Sequence, residues 1–118
     1  MHNFKELTVW KESKEFSVLV YKATASFPKS EQYGLVNQLN RAAVSIPSNI
    51  AEGSGRETKK DFSRFIDMAL GSSFEVETQL MIAFDLDFLD KDIFEGLIEK
   101  INQIQKMLYS FNKYLRSN

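Results

Sequence analysis

Apolar residues recur along this chain at helical spacing in four runs, separated by short polar breaks. The first run joins Val9, Phe16, Val20, Ala23 and Phe27 in steps of three, four and seven, and Trp10 and Leu19 widen it. It predicts a helix over 8–27, ended by Phe27-Pro28, because the residue before a proline disfavours the α region. The second run, Leu35, Leu39, Ala42, Ile46 and Ile50 with Val36 and Ala43 beside it, predicts a helix over 31–52 with Ser30 as its N-cap. Pro47 lies inside that run. It removes one backbone donor and presses on the carbonyl of Ala43, four residues back, so a kink is expected there. Gly53-Ser54-Gly55 then stops the helix.

Thr58-Lys59-Lys60-Asp61 reads as a capping box with Asp in place of the usual Glu. Behind it Phe62, Phe65, Ile66, Ala69, Phe74, Val76, Leu80, Ala83 and Phe84 predict a helix over 59–88. Asp90 caps the fourth, over 91–115, whose stripe of Ile93, Leu97, Ile101, Ile104, Leu108, Phe111 and Leu115 is near-heptad. Short connections favour antiparallel neighbours. The expected fold is all-α, a single domain over 1–118: an antiparallel up-and-down four-helix bundle with its second helix kinked at Pro47.

Composition narrows the picture. At 118 residues the chain suits one core without staples. It has no cysteine, so disulfides and thiolate metal sites are excluded. The opening residues form no apolar leader and no run reaches membrane-spanning length, so a cytoplasmic protein with no membrane partner is expected. Net charge is −1, but it is unevenly spread. Residues 1–64 hold ten Lys/Arg against seven Asp/Glu, and residues 65–118 hold five against nine. Such a split can give one part of a compact protein a positive field.

Little in the sequence carries reaction chemistry. The one histidine, His2, sits at a terminus expected to fray. Asp85, Asp87, Asp90 and Asp92 crowd one turn, but the glycine and distal glutamate of a calcium loop are misplaced, so they read as caps and solubilising charge. Gly53-Ser54-Gly55-Arg56 lacks the ending of a P-loop. An Arg–His acid–base pair has no histidine to use, which leaves only Glu52 and Glu75 as carboxylates for such work. No catalytic residue, cofactor or metal is expected.

The most informative stretch is Arg41-Ala42-Ala43-Val44-Ser45-Ile46-Pro47-Ser48-Asn49-Ile50-Ala51-Glu52-Gly53. With it go Ala69-Leu70-Gly71-Ser72-Ser73-Phe74-Glu75, Gln79-Leu80 and the opening Leu7-Thr8-Val9-Trp10-Lys11. Together they resemble the four-helix-bundle family encoded within intervening sequences of 23S ribosomal RNA genes. That family is similar to the accessory variability determinant proteins of diversity-generating retroelements. The resemblance implies pentameric rings of bundles, a basic surface that contacts RNA or a reverse transcriptase, and no catalytic residue to carry over. It points to a homo-oligomeric nucleic-acid-binding or ribonucleoprotein accessory factor. The alternative is a protein-interaction scaffold, for a reverse transcriptase for example, without nucleic-acid contact.

The same residues have a physical reading. Arg41, Ser45, Asn49 and Glu52 share one face of the second helix, and Ser72, Glu75 and Gln79 share one face of the third. They would meet as a structural polar layer with Arg41 opposite Glu75, or else stay as two solvated faces. Gly71 and Ser72 suit close backbone approach. Arg56, Lys59, Lys60 and Arg64 line the start of the third helix, with Arg41 joining them if the kink allows. Cations there oppose the helix dipole and make a phosphate site, unless Glu57 and Asp61 neutralise them. Trp10, Tyr109, Phe111 and Tyr114 exceed what one bundle buries and suggest an interface between subunits.

If the fourth stripe is core, Leu97→Ala or Ile101→Ala should each lower stability by about 2–5 kcal/mol in urea titrations. A cost below about 0.5 kcal/mol at both positions would mean that the fourth helix is misread.

Overall fold

Four long helices follow one another along the chain: α1 (Thr8–Thr24), α2 (Leu35–Ser54), α3 (Lys59–Asp85) and α4 (Lys91–Arg116). Short 3-10 turns cover Phe4–Glu6 and Lys29–Glu31, and there is no strand among the described residues. This is a computed structural model, and it describes residues 3–117; His2 lies outside them. Each helix packs on its neighbour in sequence, and α1 closes onto α4. The assembly measures 47 × 23 × 20 Å.

The four stripes converge on one core. Phe16, Val20, Leu39, Ile46, Ile50, Ile66, Leu80, Ile101 and Leu108 are all buried within it. Facing pairs set the depth at which the helices meet. Ser17 of α1 reaches Ala43 of α2, and Thr24 reaches Asn40. Ser45 of α2 meets Ser72 of α3, and Gln38 meets Gln79.

The helix ends differ from the sequence expectation, for local reasons. α1 stops at Thr24, short of 27. The chain turns there, with the N–H of Phe27 bonded to the Thr24 carbonyl at 3.0 Å, and this turns Phe27 inward onto Phe88 at 5.5 Å between ring centroids. Ser30 is not the cap of α2, since it sits within the second 3-10 turn. Gly34 occupies the cap position of α2, and the Glu31 carboxylate accepts from the N–H of Leu35 at 3.3 Å. α3 stops at Asp85 rather than 88. Asp87 takes the left-handed conformation (φ 64°), and the N–H of Phe88 folds back to the Ala83 carbonyl at 2.9 Å, the closure of a Schellman turn. Thr58 and Asp90 cap α3 and α4 as expected, accepting from the N–H groups of Asp61 and Ile93.

Close approach falls on Gly53, not on Gly71. A Cβ at Gly53 would lie 2.6 Å from the Phe65 Cβ and 2.8 Å from the ring of Phe62, whereas one at Gly71 would meet nothing within 4 Å. Gly53 therefore lets the end of α2 lie flat on the start of α3.

Pro47 is buried inside α2, whose helix runs unbroken from Leu35 to Ser54. The carbonyl of Ala43 would normally accept from the N–H of residue 47, and proline has none. The hydroxyl of Ser17, reaching across from α1, lies 3.0 Å from that carbonyl and also 3.0 Å from its own Ser13 carbonyl. One proton serves both acceptors. Ser17→Ala should therefore cost about 1–3 kcal/mol by leaving a buried carbonyl unpaired. The loss should shrink in a Pro47→Ala background, where the backbone donor returns. Chemical denaturation of the four-member cycle checks this; equal losses in both backgrounds would contradict the account.

Candidate functional site

The basic residues at the start of α3 lie in two places. Arg56 precedes the helix, with its guanidinium 4.6 Å from the centroid of the Phe65 ring and 3.7 Å from the Glu52 carboxylate. Lys59 in the first turn holds its ammonium 4.8 Å from the Tyr114 ring on α4. Lys60 is exposed and forms no ion pair among the described residues, and Arg64 lies 3.7 Å from Asp61. These pairs are exposed, so each neutralises its cation weakly.

Lys59, Lys60 and Arg64 line an open cleft of about 570 Å³ between the first turns of α3 and the end of α4. Arg116 lines it from the α4 side, with Ser63 and Asp67 between. Four cations thus surround one cleft, and sequence reasoning named three of them. Arg56 faces Phe65 and does not line it. Arg41 is farther away: it lies twelve residues, roughly 18 Å of helix, before Gly53, between the two α2 residues that face Gln79 and Ser72.

Arg116 is fixed by a closed ring of side chains. Its Nε donates to Ser63 Oγ at 2.9 Å and its Nη2 to Asp67 Oδ2 at 2.6 Å. Asn112 Nδ2 donates to Asp67 Oδ1 at 2.7 Å, and Ser63 Oγ donates to Asn112 Oδ1. Ser63 and Asn112 are buried. Two turns back along α4, Gln105 donates to Glu77 at 2.9 Å, and Asn102 donates to the same carboxylate at 3.3 Å. Sequence reasoning missed both clusters. The available signal was Gln105 and Asn112, polar and seven residues apart beside the apolar stripe of α4.

The expected polar layer between α2 and α3 is present in part. Ser45 and Ser72 share a 2.8 Å hydrogen bond, and Asn49 donates to the Ser45 carbonyl and hydroxyl at 2.8 and 2.9 Å. Gln79 donates to Gln38 at 3.3 Å and to Glu75 at 3.4 Å, while its buried Oε1 has no protein partner. Arg41, Glu52 and Glu75 are exposed, and Arg41 forms no ion pair with Glu75. Glu52 lies beyond Ser45 on α2 and Glu75 beyond Ser72 on α3, on opposite sides of that serine contact, so the two carboxylates do not converge. The aspartates before α4 gather into no metal-binding group among the described residues. No helix there is long and apolar enough to cross a membrane.

The profile of the 23S rRNA-intervening sequence proteins matches residues 5–110, nearly the whole of this architecture. The chain belongs to that family. A solved protein of similar shape is one with unknown function from the S23 ribosomal protein family of Bacteroides thetaiotaomicron. It superposes with a TM-score of 0.81 at 25% identity, over 90% of this chain and 99% of that one. No functionally curated protein matches. The matched span of the intervening-sequence family profile contains Ser63 and Asp67 but ends before Asn112 and Arg116, so the ring that fixes the cleft straddles its edge.

Removing the ring's central amide tests its worth. Asn112→Ala should destabilise the protein by about 1–3 kcal/mol, because it strips partners from Ser63 and Asp67 at a buried position. Thermal and urea unfolding measure it, and a neutral effect would mean that water replaces the amide without loss.

Proposed function

We propose that this protein is a non-catalytic, homo-oligomeric helical bundle that grips the phosphate backbone of nucleic acid, as an accessory factor of a ribonucleoprotein. The observation that carries the reading is the convergence of Lys59, Lys60 and Arg64 from α3 with Arg116 from α4 on one open cleft. The first N–H groups of α3 point the same way as its dipole and add positive character. The family's description, which ties these proteins to 23S rRNA intervening sequences, agrees with an RNA ligand.

Chain direction supports it further. Facing pairs between neighbouring helices step in opposite senses along the sequence, so we read the bundle as antiparallel and up-and-down, with α2 bent at Pro47. One end then gathers residues 3–16, 46–72 and 104–117, with ten Lys/Arg against seven Asp/Glu. The other end holds five against nine. The uneven charge of the sequence becomes a field along the long axis, positive at the cleft.

Self-association has its own motive. The outer face of α3 leaves Met68, Phe74, Met81 and Ile82 about half exposed, more apolar surface than Tyr109 and Tyr114 contribute on α4. We take this face as the contact between copies, with a pentamer favoured by the resemblance. A ring would repeat the cleft and multiply weak phosphate contacts.

Replacing Arg56, Lys59, Lys60 and Arg64 by glutamine should leave the circular dichroism and the oligomer unchanged. It should weaken binding to RNA or DNA at least about tenfold at low salt and flatten the salt dependence, whose slope runs about −0.7 to −0.9 per phosphate neutralised. Fluorescence anisotropy across a salt series measures both. Unchanged binding by the variant would remove the cleft from the reading. A parent protein that binds no nucleic acid even at low salt would replace it with the scaffold alternative.

A further inference from the structure

The α1–α4 contact is the thinnest of the four between the long helices. Most of the partly buried apolar side chains packed against the core lie on these two helices, among them Leu7, Trp10 and Leu19 of the α1 side and Met107 and Phe111 of α4. Three depressions run end to end along the seam. One of about 460 Å³ is floored by Leu7, Val9, Met107 and Phe111. A narrow neck of about 40 Å³ follows, and then one of about 320 Å³ floored by Leu19, Ala23, Ile93 and Leu97.

The rims carry charge in a pattern. On the α1 side of the neck stand Glu12 and Glu15, and on the α4 side Lys100, with Lys106 beyond it. None of these four forms an ion pair among the described residues. At the far end the order reverses, with Lys22 on α1 and Asp92 on α4.

We propose that this seam is a docking groove for an amphipathic helix of a partner polypeptide, with an apolar stripe flanked by cations on one side and carboxylates on the other. The groove follows α1, whose 17 residues span roughly 25 Å, so it takes a helix of about four to five turns rather than a small molecule. The stripe covers the apolar floor, the cationic flank meets Glu12 and Glu15, and the acidic flank meets Lys100 and Lys106. The reversal at Lys22 and Asp92 fixes the direction of the bound helix. A second copy fits poorly. Two concave seams cannot fill one another, and the exposed apolar face of α3 carries no Lys or Arg between Asp67 and Asp85 to satisfy Glu12 and Glu15.

The test uses the full-length protein and three labelled 16-residue helical peptides with one apolar stripe. Their flanks are Lys on one side and Glu on the other, Glu on both, or Lys on both. By anisotropy the mixed-flank peptide should bind at least tenfold more tightly than either other. A Glu12→Lys/Glu15→Lys variant, changed only at exposed positions, should shift the preference to the peptide with Glu on both sides. Met107→Glu should abolish binding while keeping the helical circular dichroism of the parent. If that variant fails to fold, the rim variant alone decides. Equal affinity for the three peptides, no binding, or an unshifted preference in the rim variant would overturn the proposal. So would self-association at the same concentrations that the mixed-flank peptide displaces, because a second copy would then own the groove.

Discussion

A buried proline in the middle of α2 leaves one carbonyl without its donor, and a serine from α1 supplies one. The hydroxyl of Ser17 reaches the Ala43 carbonyl at the place where Pro47 has no N–H to give. This bond sits beside Val20, Leu39 and Ile46, all fully buried, so it fixes the depth of α1 on α2 at the centre of the core. From that point α2 continues to Gly53, where the missing side chain lets it rest on Phe62 and Phe65. The start of α3, and with it Lys59, Lys60 and Arg64, is placed by that contact.

Periodicity made the helices legible because burial on one face leaves a one-dimensional trace. The four stripes, the caps at Thr58 and Asp90 and the proline inside α2 could all be read from spacing. Helix ends were less legible, since they depend on what the chain touches after leaving the helix. Phe27 abandons α1 to meet Phe88, and Asp87 adopts a left-handed backbone that closes α3 early. The first contact joins residues far apart in sequence, and the second is a turn closed at an aspartate where glycine is the usual signal.

The candidate site was legible to the same extent and for the same reason. Spacing identifies which residues share a helix face, and Lys59, Lys60 and Arg64, grouped in that way with Arg56, line one cleft that Arg56 does not reach. It says nothing about the rotation of one helix against another. Arg116 reads as an ordinary cation at a helix C-terminus, favoured there by the dipole. Only the pairing of Asn112 with Ser63 and Asp67 turns it toward α3. Arg41 shares its face with Ser45 and Asn49 as expected, yet its depth along α2 keeps it from the cleft.

The ring at Asp67 also bears on the opposite side of the molecule. Helix α4 is one continuous helix, with Arg116 on the α3 side and Met107 on the α1 side. Ser63 donates to α4, Asp67 and Glu77 accept from it, and each of these bonds holds it toward α3. No hydrogen bond or ion pair ties α4 to α1 among the described side-chain contacts, which are apolar along that seam. Polar bonds require fixed geometry, while apolar contacts tolerate sliding and partial exposure. The side chains that build the cleft therefore hold α4 to α3 by directional bonds, while α4 meets α1 through apolar contacts alone.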